Sequence, residues 1–105
     1  RLENRIPSSD ANPYLAIAAV LASGYLGMLE AEKPADPVSN DAGTLPQDLP
    51  YSLVQGIIKL ERCQPIIDIL GPQFITAYSR VMLHEYETFM QTVSPWEREF
   101  LLLIV

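Results

Sequence analysis

The chain has little cysteine and histidine, and it has no excess of basic residues. Its single cysteine, Cys63, cannot form an internal disulfide, so nothing indicates a secreted disulfide scaffold. Because no histidine or cysteine lies near it at metal-binding spacing, Cys63 is predicted to be a buried or half-buried small hydrophobe. Thirteen acidic residues against seven basic ones give a net charge of −6. This charge argues against nucleic-acid binding, which needs basic patches, and favours a soluble cytoplasmic protein.

The sequence also lacks the features of a signal peptide, because no basic segment precedes an apolar stretch at its start. The uncharged run over residues 13–29 falls short of the roughly 20 residues that a membrane span needs. It is rich in alanine and contains Gly24 and Gly27, and small residues let another backbone approach closely. We therefore expect a fully buried helix between neighbours, with a membrane span as the less favoured alternative.

The first fifteen residues, RLENRIPSSDANPYL, carry the pattern with the most chemical content. Arg1, Glu3 and Arg5 alternate, which is strand spacing, so a strand would place them on one face and Leu2 and Ile6 on the other. One interpretation is a solvated edge strand with paired charges. The other is a site for a metal and an anion, since a carboxylate suits Mg²⁺ or Mn²⁺ and a guanidinium holds carboxylate or phosphate. The pattern alone leaves both open.

Two helices and a long loop are predicted next. Asn12 caps a helix that runs to about residue 32, and Pro13 occupies its first position. Residues 33–50 are rich in proline and aspartate, and we expect a surface connection there. Ser52 can cap a second helix that ends near Cys63. Its apolar stripe is predicted to consist of Leu53, Ile57 and Leu60, with Val54 and Ile58 beside them.

Three further helices complete the prediction. A short one ends at Gly71 in the left-handed conformation, and a long one covers about residues 72–92. Ser94 and Glu97 form a capping box for the last helix. The inner face of the long helix is predicted to carry Phe74, Ala77, Tyr78, Val81, Met82, Glu85, Tyr86 and Phe89.

Two polar residues of the long helix are assigned no catalytic role. His84 has no second ligand at a suitable offset, so we expect it to be structural or solvated. Glu85 falls among the inward residues and is expected to accept a hydrogen bond or salt bridge, either from Arg80 or from an upstream residue absent from this sequence.

The beginning of the chain resembles a signature near the end of the glutamine synthetase catalytic domain. The resemblance rests on Arg1, Glu3, Arg5 and Ile6-Pro7, followed by the segment Ala11-Asn12-Pro13-Tyr14-Leu15. Looser agreement continues through Leu45-Pro46, Leu49-Pro50, Leu70-Gly71, Glu85 and Ser94-Pro95-Trp96-Glu97. The resemblance implies that residues 1–105 are the carboxy-terminal part of such a domain. It implies an α+β fold in the intact enzyme, of which this piece is mostly α-helical with one N-terminal strand.

The resemblance also implies an activity and roles for three residues. Enzymes of this family join an amine to the γ-carboxyl of glutamate through γ-glutamyl phosphate, at the expense of ATP. Glu3 matches the family's ligand for Mg²⁺ or Mn²⁺. Arg5 matches a catalytic arginine that binds the glutamate substrate and the transferring phosphoryl group, and Arg1 matches an arginine on the nucleotide side. The resemblance further implies a ring-shaped homo-oligomer and a fragment that is inactive alone.

The amine substrate and the free-standing alternative stay open from the sequence. Ammonia is one candidate, and a polyamine such as putrescine is favoured by the resemblance of LGPQFITAYSRVMLHEYETF…SPWEREFLLL to the polyamine-glutamylating branch. The alternative function is a free-standing, non-catalytic helical module with an interaction or regulatory role. A charged strand before the first helix argues against it, because a free domain rarely begins that way.

Overall fold

Five α-helices follow one another along the part of the chain that the structure describes. The structure is a computed structural model, and it describes residues 1, 3–39, 41, 43, 48–102 and 104. The helices are α1 (Pro13–Leu29), α2 (Leu53–Arg62), α3 (Gln64–Leu70), α4 (Pro72–Met90) and α5 (Pro95–Phe100). The described residues contain no β-strand. The prediction of a mostly helical segment is confirmed.

Polar side chains cap three of the five helices where the sequence predicted them. The Asn12 side chain accepts hydrogen bonds from the backbone N–H groups of Tyr14 and Leu15, at 3.0 and 3.3 Å. Ser52 and Ser94 cap α2 and α5 in the same way. These side chains satisfy N–H groups that have no partner inside the helix, which is why the helices begin at these residues.

Gly71 separates α3 from α4 and adopts φ 90° and ψ 135°. The positive φ is as predicted, but the extended ψ places the residue outside the left-handed helical region. A Cβ added at Gly71 would meet no atom within 4 Å. Glycine is therefore required here by the backbone conformation and not by lack of space.

The strand predicted over residues 1–6 does not form in the described part of this segment. The Asn4 Oδ1 atom accepts a hydrogen bond from the backbone N–H of Ile6 at 3.0 Å, so a local turn uses a group that a sheet would need. A strand also needs a partner, and the described residues provide no second strand. Leu2, predicted to face a core, lies outside the described residues.

The helices pack through a small core. α2 packs against α4, α3 contacts both of them, and α1 contacts only α3 among the described helices. Among the described residues, the buried ones are Ala22 on α1, Ile57 on α2, and Ile75 and Ser79 on α4. The prediction that α1 is fully buried is therefore wrong for this chain, because the seven-residue α3 covers one side of a 17-residue helix.

The inner face predicted for α4 is partly confirmed. Tyr78, Met82 and Tyr86 are half-buried as predicted, whereas Phe74, Val81 and Phe89 are exposed. The buried residues of α4, Ile75 and Ser79, were not predicted. A small serine in the contact lets neighbouring helices approach α4 closely, and hydrophobicity alone does not identify such a position.

The stripe predicted for α2 is partly confirmed. Ile57 is buried, and Val54 and Leu60 are half-buried, whereas Leu53 and Ile58 are exposed. The last turn of α2 is tied to the preceding loop, because Lys59 Nζ lies 2.9 Å from Asp48 Oδ1 and also donates to the Asp48 carbonyl. The described residues of the 33–50 loop form no α-helix or strand, as predicted, while Leu45-Pro46 lies outside them.

The molecule is expanded for its size. Its Cα radius of gyration is 18.0 Å, whereas a compact domain of this length has a radius of about 13 Å. Its accessible surface is 9540 Å², against about 5,900 Å² for a compact monomer of this mass. The large radius and surface leave much apolar surface uncovered within this chain.

No helix in the described ranges has both the length and the apolar character to cross a bilayer.

Candidate functional site

A short arm, residues 3–11, leads into α1 and carries two of the three predicted site residues. Its turn is closed by a 3.1 Å hydrogen bond from the backbone N–H of Ala11 to the Ser8 carbonyl. The Ser8 hydroxyl donates to the Asp10 carboxylate. This bond and the backbone N–H of Asp10 hold the pKa of that carboxyl below its ordinary value. The turn is followed directly by Asn12, which caps α1.

Glu3 and Arg5 meet on this arm. The Arg5 Nε atom donates to the Glu3 Oε1 atom at 2.6 Å, and the two side chains are 87% and 62% exposed for Arg5 and Glu3, respectively. Arg1 is also exposed, and it has no hydrogen bond or ion pair with the described residues. The structure thus brings two of the three predicted residues together and leaves Arg1 apart.

The ion pair between Glu3 and Arg5 is weak enough for a ligand to displace it. An exposed pair contributes about 0–1 kcal/mol, because water screens it and two flexible side chains must be held in place. A ligand with more charge or better geometry can therefore displace it. The second carboxylate oxygen of Glu3 and the terminal nitrogens of Arg5 are free to engage an anion or a cation.

The described residues do not fit a complete metal site. They contain no group of three or more histidine, cysteine, aspartate and glutamate side chains close enough to hold an ion. Mg²⁺ and Mn²⁺ require several oxygen ligands, and Glu3 could supply one of them. Any ion at Glu3 would need its other ligands from outside this part of the chain.

The remaining polar residues singled out in the sequence do not join this site. His84 is exposed, as predicted, and its carbonyl accepts a 2.8 Å hydrogen bond from the Thr88 hydroxyl. Glu85 is exposed and makes no ion pair with Arg80, so its predicted inward position and this partner are wrong. A partner upstream of this chain stays a prediction. Cys63 is half-buried at the junction of α2 and α3, as predicted.

An open apolar groove lies beside the arm and was missed in the sequence. Its volume is about 320 Å³, and it is lined by Asn4, Pro7, Ala16, Ile17, Val20 and Leu21. The arm forms one wall and α1 the other. The signal that could have located it is the pairing of a proline-bearing arm with a helix that has no charged face.

Comparison with known proteins places the segment in a family. Residues 1–101 match the family described as "Glutamine synthetase, catalytic domain". The chain is 32% identical to the glutamine synthetase of Halobacterium salinarum over 94% of its length and 24% of that protein. It is 33% identical to the glutamate–isopropylamine ligase of a Pseudomonas species, over 92% of the chain and 22% of the relative. It is 32% identical to the glutamate–methylamine ligase of Methyloversatilis universalis, over 92% of the chain and 24% of the relative.

These relatives are far longer than the chain, which spans at most about a quarter of their length. No solved structure shows significant similarity to it. The family match nevertheless extends from the arm, through all five helices, to residue 101. This chain belongs to the glutamine synthetase family and corresponds to part of its catalytic domain.

Proposed function

We propose that this chain forms part of an ATP-dependent ligase that joins glutamate to an amine. The observation that carries the proposal is the match of residues 1–101 to the family, together with relatives that are glutamine synthetases and glutamate–amine ligases. A γ-carboxylate oxygen of glutamate attacks the γ-phosphorus of ATP and releases ADP. The amine nitrogen then attacks the γ-carbonyl carbon of γ-glutamyl phosphate, phosphate leaves, and the nitrogen loses a proton.

Arg5 and Glu3 are proposed to act on the charged groups of this reaction. Arg5 would hold the glutamate carboxylate and the transferring phosphoryl group through its guanidinium fork, and Arg1 would lie on the nucleotide side. Glu3 would contribute one ligand to a Mg²⁺ or Mn²⁺ site. The bound ion would supply charge neutralisation at the phosphoryl group. The close approach of Arg5 and Glu3 supports this assignment, because both lie on one short arm.

The amine is proposed to be a polyamine such as putrescine, with ammonia as the competing substrate. Relatives named for isopropylamine, for methylamine and for glutamine synthesis match at nearly the same identity. This supports an amine ligase in general and does not distinguish between amines. The preference for a polyamine rests on the resemblance of the C-terminal helices to the polyamine-glutamylating branch. We further propose that the intact enzyme is a cytoplasmic, ring-shaped homo-oligomer.

An amine panel tests the substrate. The intact enzyme is supplied with glutamate, ATP, Mg²⁺ and one of four amines: ammonium, methylamine, isopropylamine or putrescine. Phosphate release is measured together with the mass of the product. We expect γ-glutamylputrescine at the highest kcat/KM. A clear preference for ammonium would reject the polyamine, and no phosphate release with any amine would reject the ligase.

The role of Arg5 is tested by Arg5→Lys in the intact enzyme. Lysine keeps the charge but loses the fork, so kcat/KM should fall by about 10- to 100-fold, the worth of one charge-assisted hydrogen bond. Arg62→Lys, an exposed position on α2, is the matched control and should keep normal turnover. Near-normal turnover in Arg5→Lys would show that Arg5 does not have the proposed role.

A further inference from the structure

The segment that leads into α2 lies back along the helix that follows it. This segment, residues 48–52, ends at Ser52, the N-cap of α2, and we call it the strap. Lys59, on the last turn of α2, donates to the carbonyl oxygen of Asp48, and its Nζ atom lies 2.9 Å from Asp48 Oδ1. The helix rises by about 10 Å between Ser52 and Lys59. The strap therefore runs beside about two turns of α2 and does not leave the helix directly.

Two further contacts attach the middle of the strap to α2. The backbone N–H of Tyr51 donates to Gln55 Oε1 at 3.0 Å, and the backbone N–H of Gln55 donates to the Ser52 hydroxyl at 3.2 Å. In a capping box the side chain at the third helical position bonds to the N-cap residue itself. Here Gln55 reaches one residue further back and so holds the strap. Pro50 passes over Gly56, where an added Cβ would lie 3.7 Å from Pro50 Cγ.

The strap lies on the side of α2 that faces away from the core. Ser52, Gly56 and Lys59 are separated by four and three residues, which places them on one face of the helix. Ile57, the buried residue of α2 in the described chain, falls on the opposite face. Movement of the strap would therefore leave the packing of α2 against α4 in place.

The contact at the far end of the strap is electrostatic and open to solvent. The Asp48 side chain is fully exposed, and that of Lys59 is about half exposed. An exposed ion pair changes an equilibrium constant by at most about fivefold. Salt weakens it further, because the Debye length falls from about 10 Å at 0.1 M to about 3 Å at 1 M. The hydrogen bond from Tyr51 to Gln55 joins neutral groups, so salt screens it little.

We propose that the contact between Asp48 and Lys59 is a charge-dependent clasp, which holds the strap on α2 and opens without unfolding the helix. In the closed state the connection from α1 is anchored at Asp48. In the open state residues 48–51 join the surface loop, and the 80% exposed Tyr51 moves with them. High ionic strength favours the open state, as does any change that removes the charge of Lys59. The inference does not depend on the proposed function.

Amide hydrogen exchange at Tyr51 in the intact enzyme measures the clasp, because this N–H is bonded to Gln55 while the strap lies on α2. Exchange is compared in about 0.1 M and about 1 M sodium chloride. In Lys59→Gln the Tyr51 amide should exchange about two- to fivefold faster at low salt, since the ion pair is lost. Lys59→Arg keeps the charge and should stay near the native rate. The amide of Ile57 is the internal reference for α2.

Arg62→Gln is the matched control. Arg62 is exposed, lies with Lys59 in the last turn of α2, and makes no hydrogen bond or ion pair with the described residues. Both variants remove one positive charge from the same end of the helix, so both lose a similar interaction with the helix dipole. Arg62→Gln should leave the exchange of Tyr51 and its dependence on salt unchanged.

The salt dependence distinguishes the clasp from a general effect on the helix. Salt should accelerate Tyr51 exchange in the native enzyme and in Arg62→Gln, but not in Lys59→Gln, where no ion pair is left to screen. Native exchange at Tyr51 in Lys59→Gln would overturn the inference, as would an equal acceleration in Arg62→Gln. An equal acceleration at Ile57 would also overturn it, because α2 would then open together with the strap.

Discussion

At the scale of single residues, Glu97 shows how a local bond makes a helix depend on pH. Its carboxylate accepts a 2.7 Å hydrogen bond from the backbone N–H of Ser94, and its own N–H donates to the Ser94 hydroxyl at 3.2 Å. The bonds from the Ser94 backbone and then from its side chain hold the pKa of Glu97 below its ordinary value. The folded state therefore prefers the ionised carboxyl.

The start of α5 should lose protection in acid. Since the folded pKa of Glu97 is depressed, its stabilising effect is complete above the unfolded pKa and is lost as the pH falls through the folded pKa. The measurement is amide exchange at Ser94 between neutral and acidic pH, together with NMR titration of the Glu97 carboxyl. In Glu97→Gln the dependence of Ser94 exchange on this titration should vanish. A Glu97 pKa at or above its ordinary value would contradict the capping box.

Two serines should respond in opposite ways to the same substitution. Ser79 is 1% exposed, and its Oγ atom has no hydrogen-bond partner among the described residues. Ser79→Ala removes an unsatisfied group at nearly constant volume, so stability should stay the same or rise by up to about 1 kcal/mol. Ser52→Ala removes the cap of α2 and should cost about 1 kcal/mol. Urea unfolding of the intact enzyme compares the two.

A loss of stability in Ser79→Ala as large as in Ser52→Ala would contradict the first expectation. It would show that the hydroxyl of Ser79 finds a partner when α4 is surrounded by the rest of the domain. Both variants replace serine by alanine and keep the net charge unchanged, so the comparison isolates the loss of the hydroxyl group.

At the scale of elements, α1 depends on its cap more than on its own side chains. It has no acidic residue in its first turn and no basic residue in its last turn, so it gains nothing from charges at its ends. Only one side of it is covered here, by α3. The cap at Asn12 and the proline at position 13 are the local features that begin it.

Asn12→Ala should therefore fray the start of α1. We expect the free energy of unfolding to fall by about 1 kcal/mol. Amide exchange should become faster at Tyr14 and Leu15, whose N–H groups donate hydrogen bonds to the Asn12 side chain. Asn12→Ser is the control, because serine can accept the same bonds. Equal exchange rates in all three proteins would show that Pro13 alone begins the helix.

At the scale of the whole molecule, the segment cannot bury its own apolar faces. The four residues that are buried in the described part of the chain come from three helices, and α5 packs against no other described helix. Trp96 and Phe100 of α5 instead contact each other, with ring centroids 5.4 Å apart. Exposed apolar surface on this scale is typical of an interface and not of a finished monomer.

The isolated chain should be expanded and without ligase activity. We expect small-angle scattering to give a radius of gyration near the 18.0 Å of the structure, clearly above the roughly 13 Å of a compact domain of this length. A dye that fluoresces on apolar surfaces should bind strongly. A compact chain with a radius of about 13 Å that formed glutamyl amides alone would contradict the proposal that this chain is a fragment.

The sequence by itself determined the features that depend on neighbouring residues. The caps at Asn12, Ser52 and Ser94, the positive φ at Gly71 and the break at Cys63 all follow from side chains that bond or constrain the adjacent backbone. The pattern of the arm also predicted that Glu3 and Arg5 meet, but the strand spacing behind that prediction placed Arg1 with them, and the structure leaves Arg1 apart.

Only the tertiary structure decided which faces are covered. Apolar residues occupy every side of α1, so its composition could not reveal that α3 meets one side and that residues such as Ile17 and Leu21 stay exposed. On α4 the bulky aromatic residues outweighed Ile75 and Ser79 in the pattern, although packing selects the small serine for close approach. The strand at the arm needed a partner that the described chain does not contain. Packing and strand pairing depend on what lies opposite a residue, and a single sequence does not state that.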